Sequence, residues 1–213
     1  MSCHQRIDEC LAGAEDEVGR YFDKSNGTPA FTGACFNSFG GGDDWRTPRD
    51  GFDCSDLVAV SMLSVNVPAA AALRLLDEDD ERRQRLAGLL AQIPPDLSIC
   101  DEEGRQLLLD DKSSPVWDAY GELGEFSRVG DTIASKLLAR KRPYLVPVSD
   151  SVVKKLAGPR ASWWECVAKY FADEEHVARL RSIKKNAAAP AELPLLRVLD
   201  IAVWMRRSAR TVA

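Results

Sequence analysis

Apolar residues recur at helical spacing along most of this chain, and no run alternates between apolar and polar residues as half-buried strands do. Ile133, Leu137 and Leu138 are one example of this spacing. The same pattern predicts helices over residues 4–22, 53–65, 69–76, 77–93, 115–126, 162–171, 173–185 and 195–207. The chain is therefore predicted to be mainly α-helical.

Local start signals support several of these helices. Asp53 is followed three residues later by Asp56, which resembles a capping box at the start of a helix. Pro68 and Pro115 suit the first turn of the helices that follow them. The glycine- and aromatic-rich segment 30–52 is predicted to be either a short hairpin or an irregular loop laid over a pocket.

The length of 213 residues suffices for one sizeable core or two small domains. No linker or internal repeat divides the sequence. We therefore predict one compact helical unit over residues 1–213 with two lobes, an acidic one over 1–114 and a basic one over 115–213.

The charge is distributed very unevenly. The net charge is −5, but residues 1–125 carry 11 Lys and Arg against 25 Asp and Glu, and residues 126–213 carry 17 against 8. Such asymmetry indicates a face that binds a polyanion such as nucleic acid. The alternative is that the acidic half pairs with the basic half inside the fold.

Location and cofactors are constrained mainly by what the sequence lacks. No apolar run approaches the roughly 18 to 20 residues that a membrane span needs, and the N-terminus does not resemble a secretory signal. The six cysteines show no CxxC spacing and the two histidines are isolated, so we expect reduced thiols and no metal. We predict a cytoplasmic protein with no membrane partner and no cofactor.

The stretch from Glu125 to Lys155 carries the strongest functional signal. A turn at Arg128, Val129 and Gly130 leads directly into a helix. The first amide groups of a helix lack intrahelical partners and suit a phosphate. Lys136 and the basic run at 140–142 are expected to add positive charge nearby.

These residues resemble the helix-hairpin-helix DNA glycosylase superfamily. The match consists of V-G-x-x-x-A-x-x-L-L-A, then V-P-V, and then an aspartate, Asp150, which lies 20 residues after Gly130. Three departures from the family pattern are visible. Ser127 and Arg128 replace its Pro-Gly, Ser149 is an extra residue before the acid, and Thr132 stands where lyase members carry a lysine.

The resemblance implies a helix-hairpin-helix DNA-glycosylase-like bundle acting on a modified or damaged base in DNA. Asp150 would stabilise the oxocarbenium-like transition state and activate water. Because Thr132 replaces the lysine, hydrolysis without strand cleavage is implied, although Lys136 lies one helical turn further on the same face. The implied DNA-backbone contacts are Arg128, Val129, Gly130, Thr132 and Lys136, and the candidate base-pocket residues are Phe31, Trp45 and Tyr144.

Three alternatives remain open on the sequence. Asp150 is also well placed to be an ordinary helix N-cap. The hairpin could belong to a non-catalytic module that binds DNA or a protein, or the fold could act on a small nucleoside or biosynthetic substrate. The whole chain also resembles a bacterial family of similar length, with the same KLLARKRP and LVPV-type segments, which brings no established activity.

Overall fold

The computed structural model describes residues 1–24, 27–44, 50–110, 113–158 and 162–209. These residues form twelve α-helices, two short 3₁₀ helices and no strand. The prediction of a mainly α-helical fold is confirmed. The α-helices are α1 (Cys3–Leu11), α2 (Ala14–Phe22), α3 (Cys54–Ser61), α4 (Ala69–Leu76), α5 (Glu81–Leu90), α6 (Glu102–Leu109), α7 (Pro115–Gly124), α8 (Asp131–Lys141), α9 (Lys154–Ala157), α10 (Trp163–Phe171), α11 (Glu174–Asn186) and α12 (Leu195–Ala209).

Near the N-terminus one sequence expectation is wrong, and for another the structure decides between two alternatives. The single helix expected over 4–22 is two helices, because Gly13 has a left-handed backbone (φ 69°) and separates α1 from α2. The described part of segment 30–52 contains the 3₁₀ helices Thr32–Cys35 and Phe39–Asp44 and no hairpin.

The start signals predicted at Asp53 and Pro115 are formed, whereas Pro68 lies at the N-cap, one residue before α4. The Asp53 side chain accepts hydrogen bonds from the amides of Ser55 and Asp56, and the Asp56 carboxylate accepts one from the Asp53 amide. Pro115 occupies the first turn of α7 after the capping residue Ser114. Caps of this kind satisfy amides that the helix itself cannot, which fixes where each helix begins.

Helix α12 lies within the core and connects the two ends of the chain. It packs against α1, α2 and α11. One cluster of buried apolar side chains runs from Ile7 in α1 to Met205 in α12. Elements from both ends of the sequence therefore share one core, while the division into an acidic and a basic lobe stays a prediction.

The basic run at the end of α8 is buried. Arg140 and Lys141 both pair with the buried Asp56, at 3.1 Å from Arg140 Nε and 2.8 Å from Lys141 Nζ. Arg142 donates to the carbonyl oxygen of Ile93 and pairs with Asp50 at 2.6 Å. The expectation that this run supplies surface charge for a phosphate is wrong, since its partners come from the acidic half of the chain.

Candidate active site

A cavity of about 330 Å³ lies between α2, the first 3₁₀ helix, the loop after α3, α8, the turn before α9, and α12. This volume falls at the lower end of the range of small-molecule pockets. Its aromatic walls are formed by Tyr21, Phe22, Phe31, Phe36 and Trp204. The aromatic walls and several charged side chains make this cavity the candidate site.

The ring of Phe31 belongs to a packed aromatic group in this wall. It stacks on Tyr21, with ring centroids 5.3 Å apart and planes 9° from parallel, and meets Trp204 edge-on at 5.9 Å. Gly33 lies close behind Tyr21, and a Cβ there would come within 2.0 Å of the Tyr21 hydroxyl oxygen. The absence of a side chain at Gly33 therefore lets the Tyr21 ring occupy its place in the wall.

The extended segment before Asp150 is held by side chains rather than by a sheet. Trp164 Nε1 donates to the carbonyl oxygen of Pro147 at 3.0 Å, and Trp163 Nε1 donates to that of Val148 at 3.1 Å. The Ser135 hydroxyl donates to the Ser149 carbonyl oxygen at 2.8 Å. Buried backbone groups outside regular structure need such partners. The two tryptophans therefore anchor the extended segment to α10.

Asp150 both caps a turn and lines the cavity. Its Oδ1 accepts hydrogen bonds from the amides of Val152 (2.8 Å) and Val153 (3.1 Å). Its side chain is partly buried and forms part of the cavity lining together with Thr132 and Lys136. One carboxylate oxygen is thus used by the backbone, and the position is still open to a bound molecule.

Lys136 lies inside the cavity rather than on the outer surface. It is only 3% exposed, and its Nζ donates to the carbonyl oxygen of Leu63 at 2.9 Å. Burial lowers the pKa of Lys136, and the nearby Asp150 carboxylate opposes that change. The DNA-backbone contact predicted for Lys136 does not fit this location, whereas a contact with a molecule in the cavity does.

Two further buried charged residues of the cavity come from α12. Arg197 Nη1 lies 2.9 Å from Asp200 Oδ2, which also accepts a hydrogen bond from the Val148 amide at 3.2 Å. Burial raises the pKa of Asp200 to about 6; the Arg197 charge and the Val148 hydrogen bond oppose this rise, and the charge of Asp150 adds to it. Burial is therefore the dominant influence on the pKa of the Asp200 carboxyl group.

Several polar atoms of the cavity-lining residues are buried without a hydrogen-bond partner among the described residues. They are Asp200 Oδ1, both side-chain amide atoms of Asn37, and Nε and Nη1 of Arg197. Arg197 Nη1 is close enough to Asp200 for an ion pair but is not aligned for a hydrogen bond. Buried polar groups usually have partners, so this group of atoms calls for an explanation.

The other predicted site residues lie in different places. Arg128, Val129 and Gly130 form the turn between α7 and α8, where Arg128 and Gly130 are exposed and Val129 is buried. Tyr144 lies beside a second cavity, lined also by Ser98 and Ile99, and not in the wall around Asp150. The base-pocket role predicted for Tyr144 therefore does not fit, and Trp45 lies outside the described residues.

Arg128 has a left-handed backbone with φ 62°. This is the position at which the superfamily pattern carries a glycine, the residue that adopts such a conformation at no steric cost. Gly130, in contrast, has φ −88°, and a Cβ built there would meet nothing within 4 Å. The conformation of the turn therefore does not require a glycine at position 130. A glycine there would still allow a bound molecule to approach the backbone closely.

The sequence prediction included Asp150, Thr132, Lys136 and Phe31 but missed the α12 pair. Arg197 and Asp200 are the only charged residues in the otherwise apolar run 195–205. Their spacing of three places both on one face of the helix. Two charges inside an apolar helix are a signal that was present in the sequence, because such residues are rarely buried without a reason. Asn37 gave no such signal.

Three further findings concern the described residues. Cys3 and Cys166 are joined by a disulfide that ties α1 to α10, contrary to the expectation of six reduced thiols. Among the residues placed in the structure, no group of three His, Cys, Asp or Glu side chains could hold a metal ion. Within the same part of the chain, no helix has the length and apolar character to cross a membrane.

Comparison with known proteins gives one match. A model described as "Family of unknown function (DUF6308)" matches residues 14–207. Neither the comparison with curated proteins nor that with solved structures finds a match. The comparisons thus add no support for the resemblance to the helix-hairpin-helix glycosylases.

Proposed function

The chain belongs to this family of unknown function, and we propose that it hydrolyses the N-glycosidic bond of a modified base that is bound in the cavity. The observation that carries this proposal is the arrangement of Asp150 and Lys136 in the lining of a cavity with aromatic walls. A planar heterocycle stacks well on aromatic rings, and a carboxylate beside it can act on the attached sugar.

In this reaction the bond between the sugar carbon and the base nitrogen breaks, and its electron pair leaves with the base. Positive charge develops on the sugar, and the Asp150 carboxylate stabilises it. Asp150 also orients the attacking water, which supplies a hydroxyl group to the sugar and a proton to the departing base. Neither the breaking of this bond nor the attack of water needs a cofactor.

Lys136 offers a different nucleophile in the same cavity. Because burial lowers its pKa, a larger fraction of its amine is uncharged than for an exposed lysine. The hydrogen bond from Lys136 Nζ to the Leu63 carbonyl oxygen directs the amine toward the backbone. We therefore assign the attack to water rather than to the Lys136 amine.

The origin of the base is the second part of the proposal. The buried run Arg140, Lys141 and Arg142 is occupied by internal partners, so these cations are not offered to DNA phosphates. The exposed turn at Arg128 and Gly130 still supports a contact with a nucleic-acid backbone. DNA remains the proposed substrate, with a small nucleoside as the alternative source of the same base.

The test is base release by the native protein and by Asp150→Asn. Substrates are duplex oligonucleotides that each carry one modified base, and the matching free nucleosides. We expect release by the native protein and a loss of about 10²- to 10⁴-fold in the variant. Equal release by both proteins would remove Asp150 from the mechanism, and no release from any substrate would contradict the proposed function.

Borohydride added during turnover separates water from amine attack. We expect no covalent adduct with the native protein. An adduct that forms with the native protein and is absent from Lys136→Gln would assign the attack to the Lys136 amine.

Gly130→Ala tests whether the substrate is DNA. Because a Cβ at this position has open space around it, the fold should tolerate the change. If a phosphate approaches the Gly130 backbone, duplex binding should weaken while hydrolysis of nucleosides is unaffected. Unchanged duplex binding would favour the nucleoside.

A second candidate is a non-catalytic module that binds nucleic acid through the α7–α8 turn. The observation that favours it is the use of Asp150 Oδ1 as a cap for the amides of Val152 and Val153. On this alternative, Asp150→Asn costs stability, and the native protein binds duplex DNA with a steep salt dependence but releases no base.

A further inference from the structure

The disulfide between Cys3 and Cys166 joins the first turn of α1 to α10. The two Cα atoms lie 6.4 Å apart, a separation that a disulfide can bridge. Cys3 is partly exposed whereas Cys166 is buried, so a thiol reagent approaches the bond from the Cys3 side. The family model matches residues 14–207, which include Cys166 but not Cys3. The disulfide therefore links α1 to the part of the chain that the family model covers.

Arg6, in the same turn of α1, makes a second contact with a distant part of the chain. Its Nη1 donates to the carbonyl oxygen of Leu156 in α9 at 2.8 Å. Helix α9 directly follows the turn in which Asp150 accepts hydrogen bonds from the amides of Val152 and Val153. The first turn of α1 therefore supports the chain just after the Asp150 turn.

Helix α10 holds the chain just before the Asp150 turn. Its two tryptophans donate to the carbonyl oxygens of Pro147 and Val148, and Cys166 lies within the next helical turn of α10. Three kinds of link thus connect α1, α9, the Asp150 turn and α10 in a closed set, which we call the α1 brace. They are the disulfide, the Arg6–Leu156 hydrogen bond and the two tryptophan hydrogen bonds.

Opening the disulfide would leave most of α1 in place. Ile7 and Leu11 are buried in the core, and the Tyr170 hydroxyl donates to Asp8 Oδ1 at 2.8 Å. The first turn is different, because it begins at the exposed capping residue Ser2 and helix ends fray where little holds them. Loss of the disulfide therefore acts on the turn that carries Arg6.

We propose that the Cys3–Cys166 disulfide is a redox-sensitive fastening of the Asp150 turn. A dithiol reductant supplies two electrons and two protons, so that the S–S bond breaks, two cysteine thiols form and the dithiol becomes a disulfide. The loosened first turn of α1 then holds Leu156 less firmly, and the Asp150 turn opens more often. This inference does not depend on the proposed reaction, because its tests involve no substrate.

Hydrogen exchange of the native protein with and without dithiothreitol tests the fastening at single amides. We expect the amides of Val152 and Val153 to exchange at least about fivefold faster after reduction. Amides in α5 and α7, which pack against each other outside the α1 brace, should change by less than about twofold. Unchanged exchange at Val152 and Val153 would overturn the proposal. Equal acceleration throughout the chain would also overturn it, because the disulfide would then stabilise the whole fold alike.

Peptide mapping under non-reducing conditions shows whether the bond forms in solution. After air oxidation we expect one linked pair of peptides, which contain Cys3 and Cys166, and free thiols at the other four cysteines. Absence of the linked pair would overturn the proposal.

Cys3→Ser removes the bond at its partly exposed end. The variant should show the fast exchange of the reduced native protein at Val152 and Val153, with or without dithiothreitol. Cys100→Ser is the control, since it changes a free and partly buried cysteine, and it should respond to dithiothreitol as the native protein does. A Cys3→Ser protein that exchanges as slowly as the oxidised native protein would contradict the fastening.

Arg6→Gln breaks the other link of α1 and leaves the disulfide intact. If the α1 brace carries the effect, Val152 and Val153 should exchange fast in the oxidised variant, and reduction should add less than about twofold. A full response of this variant to reduction would contradict the route through Arg6 and Leu156.

Discussion

Two groups of buried charges in this protein differ in whether their hydrogen bonds are complete. At the end of α8, Arg140 and Lys141 converge on Asp56, and Arg140 also donates to the carbonyl oxygens of Phe36 and Asn37. In the cavity, Arg197 and Asp200 form one close contact and leave several atoms without a partner. Both groups are buried within the same core.

Complete and incomplete hydrogen bonding have different consequences for the stability of the two groups. A buried ion cluster with complete hydrogen bonds holds elements together, and losing one member leaves an uncompensated charge. A buried cluster with free hydrogen-bonding atoms is less favourable in the unbound protein, and the cost is recovered when a ligand supplies the missing partners. Arg140, Lys141 and Asp56 (the α8 cluster) thus join α8 to α3 and the 3₁₀ region, whereas Arg197 and Asp200 keep buried atoms without a hydrogen-bond partner among the described residues.

The largest effect is expected from Asp56→Ala. Removing the carboxylate leaves the Arg140 and Lys141 charges buried without it, and we expect a loss of about 3–5 kcal/mol in the free energy of unfolding. Urea unfolding measures this loss. The control is Asp131→Ala, which removes an exposed pair with Lys154 and should cost less than about 1 kcal/mol. Similar losses in both variants would contradict the structural role of the α8 cluster.

The second prediction concerns the pH dependence that Asp200 gives to stability. Its pKa rises from 3.8 to about 6 on folding, so its contribution to stability is fully present below about pH 4. That contribution is lost as the pH rises through 6, because the ionised form is the one that burial disfavours. The groups that act on it are Arg197, Asp150 and Tyr21.

Asp200→Asn removes this loss, since an amide does not ionise. The variant should gain on the order of 1–3 kcal/mol relative to the native protein between pH 4 and pH 7. Urea unfolding at several pH values checks the difference. A variant that instead loses stability relative to the native protein as the pH rises to 7 would show that the ion pair with Arg197 outweighs the cost of burial. The proposed difference between the charges at the end of α8 and those in the cavity would then be wrong.

The smallest effects are expected from two polar side chains, Ser135 and Asn37. The Ser135 hydroxyl donates to the Ser149 carbonyl oxygen and accepts from the Ser149 amide at 3.2 Å. Ser135→Ala should therefore cost about 1–2 kcal/mol. Asn37→Ala removes an amide without such bonds and should change stability by less than about 1 kcal/mol in either direction. Thermal unfolding of both variants measures the two losses of stability. A larger loss for Asn37→Ala than for Ser135→Ala would contradict the prediction.

Much of the fold could be predicted from the sequence because its signals are local. Apolar spacing and the Asp53–Asp56 cap are properties of neighbouring residues, and the structure forms the corresponding helices. The division of residues 4–22 into two helices depends on one left-handed glycine, Gly13, whose conformation the spacing does not show. Helix α6, in a segment that had no assignment, owes its position to packing against α7 and α10.

Apart from Phe31, the site residues that were predicted are close together in sequence. Thr132, Lys136 and Asp150 come from one stretch, and the structure brings them to one cavity. Whether a charge is exposed depends on contacts between distant segments. The pairing of Arg140 with Asp56, 84 residues away, is therefore not visible in the sequence. The same reason explains why Asn37 and the α12 pair were missed.

A crystal structure of Asp150→Asn with a bound modified nucleoside tests the proposed function most directly. We expect the base to lie between the aromatic walls of the cavity, with the bond between sugar and base beside residue 150. A nucleoside bound elsewhere, or one whose sugar points away from residue 150, would contradict the proposed function.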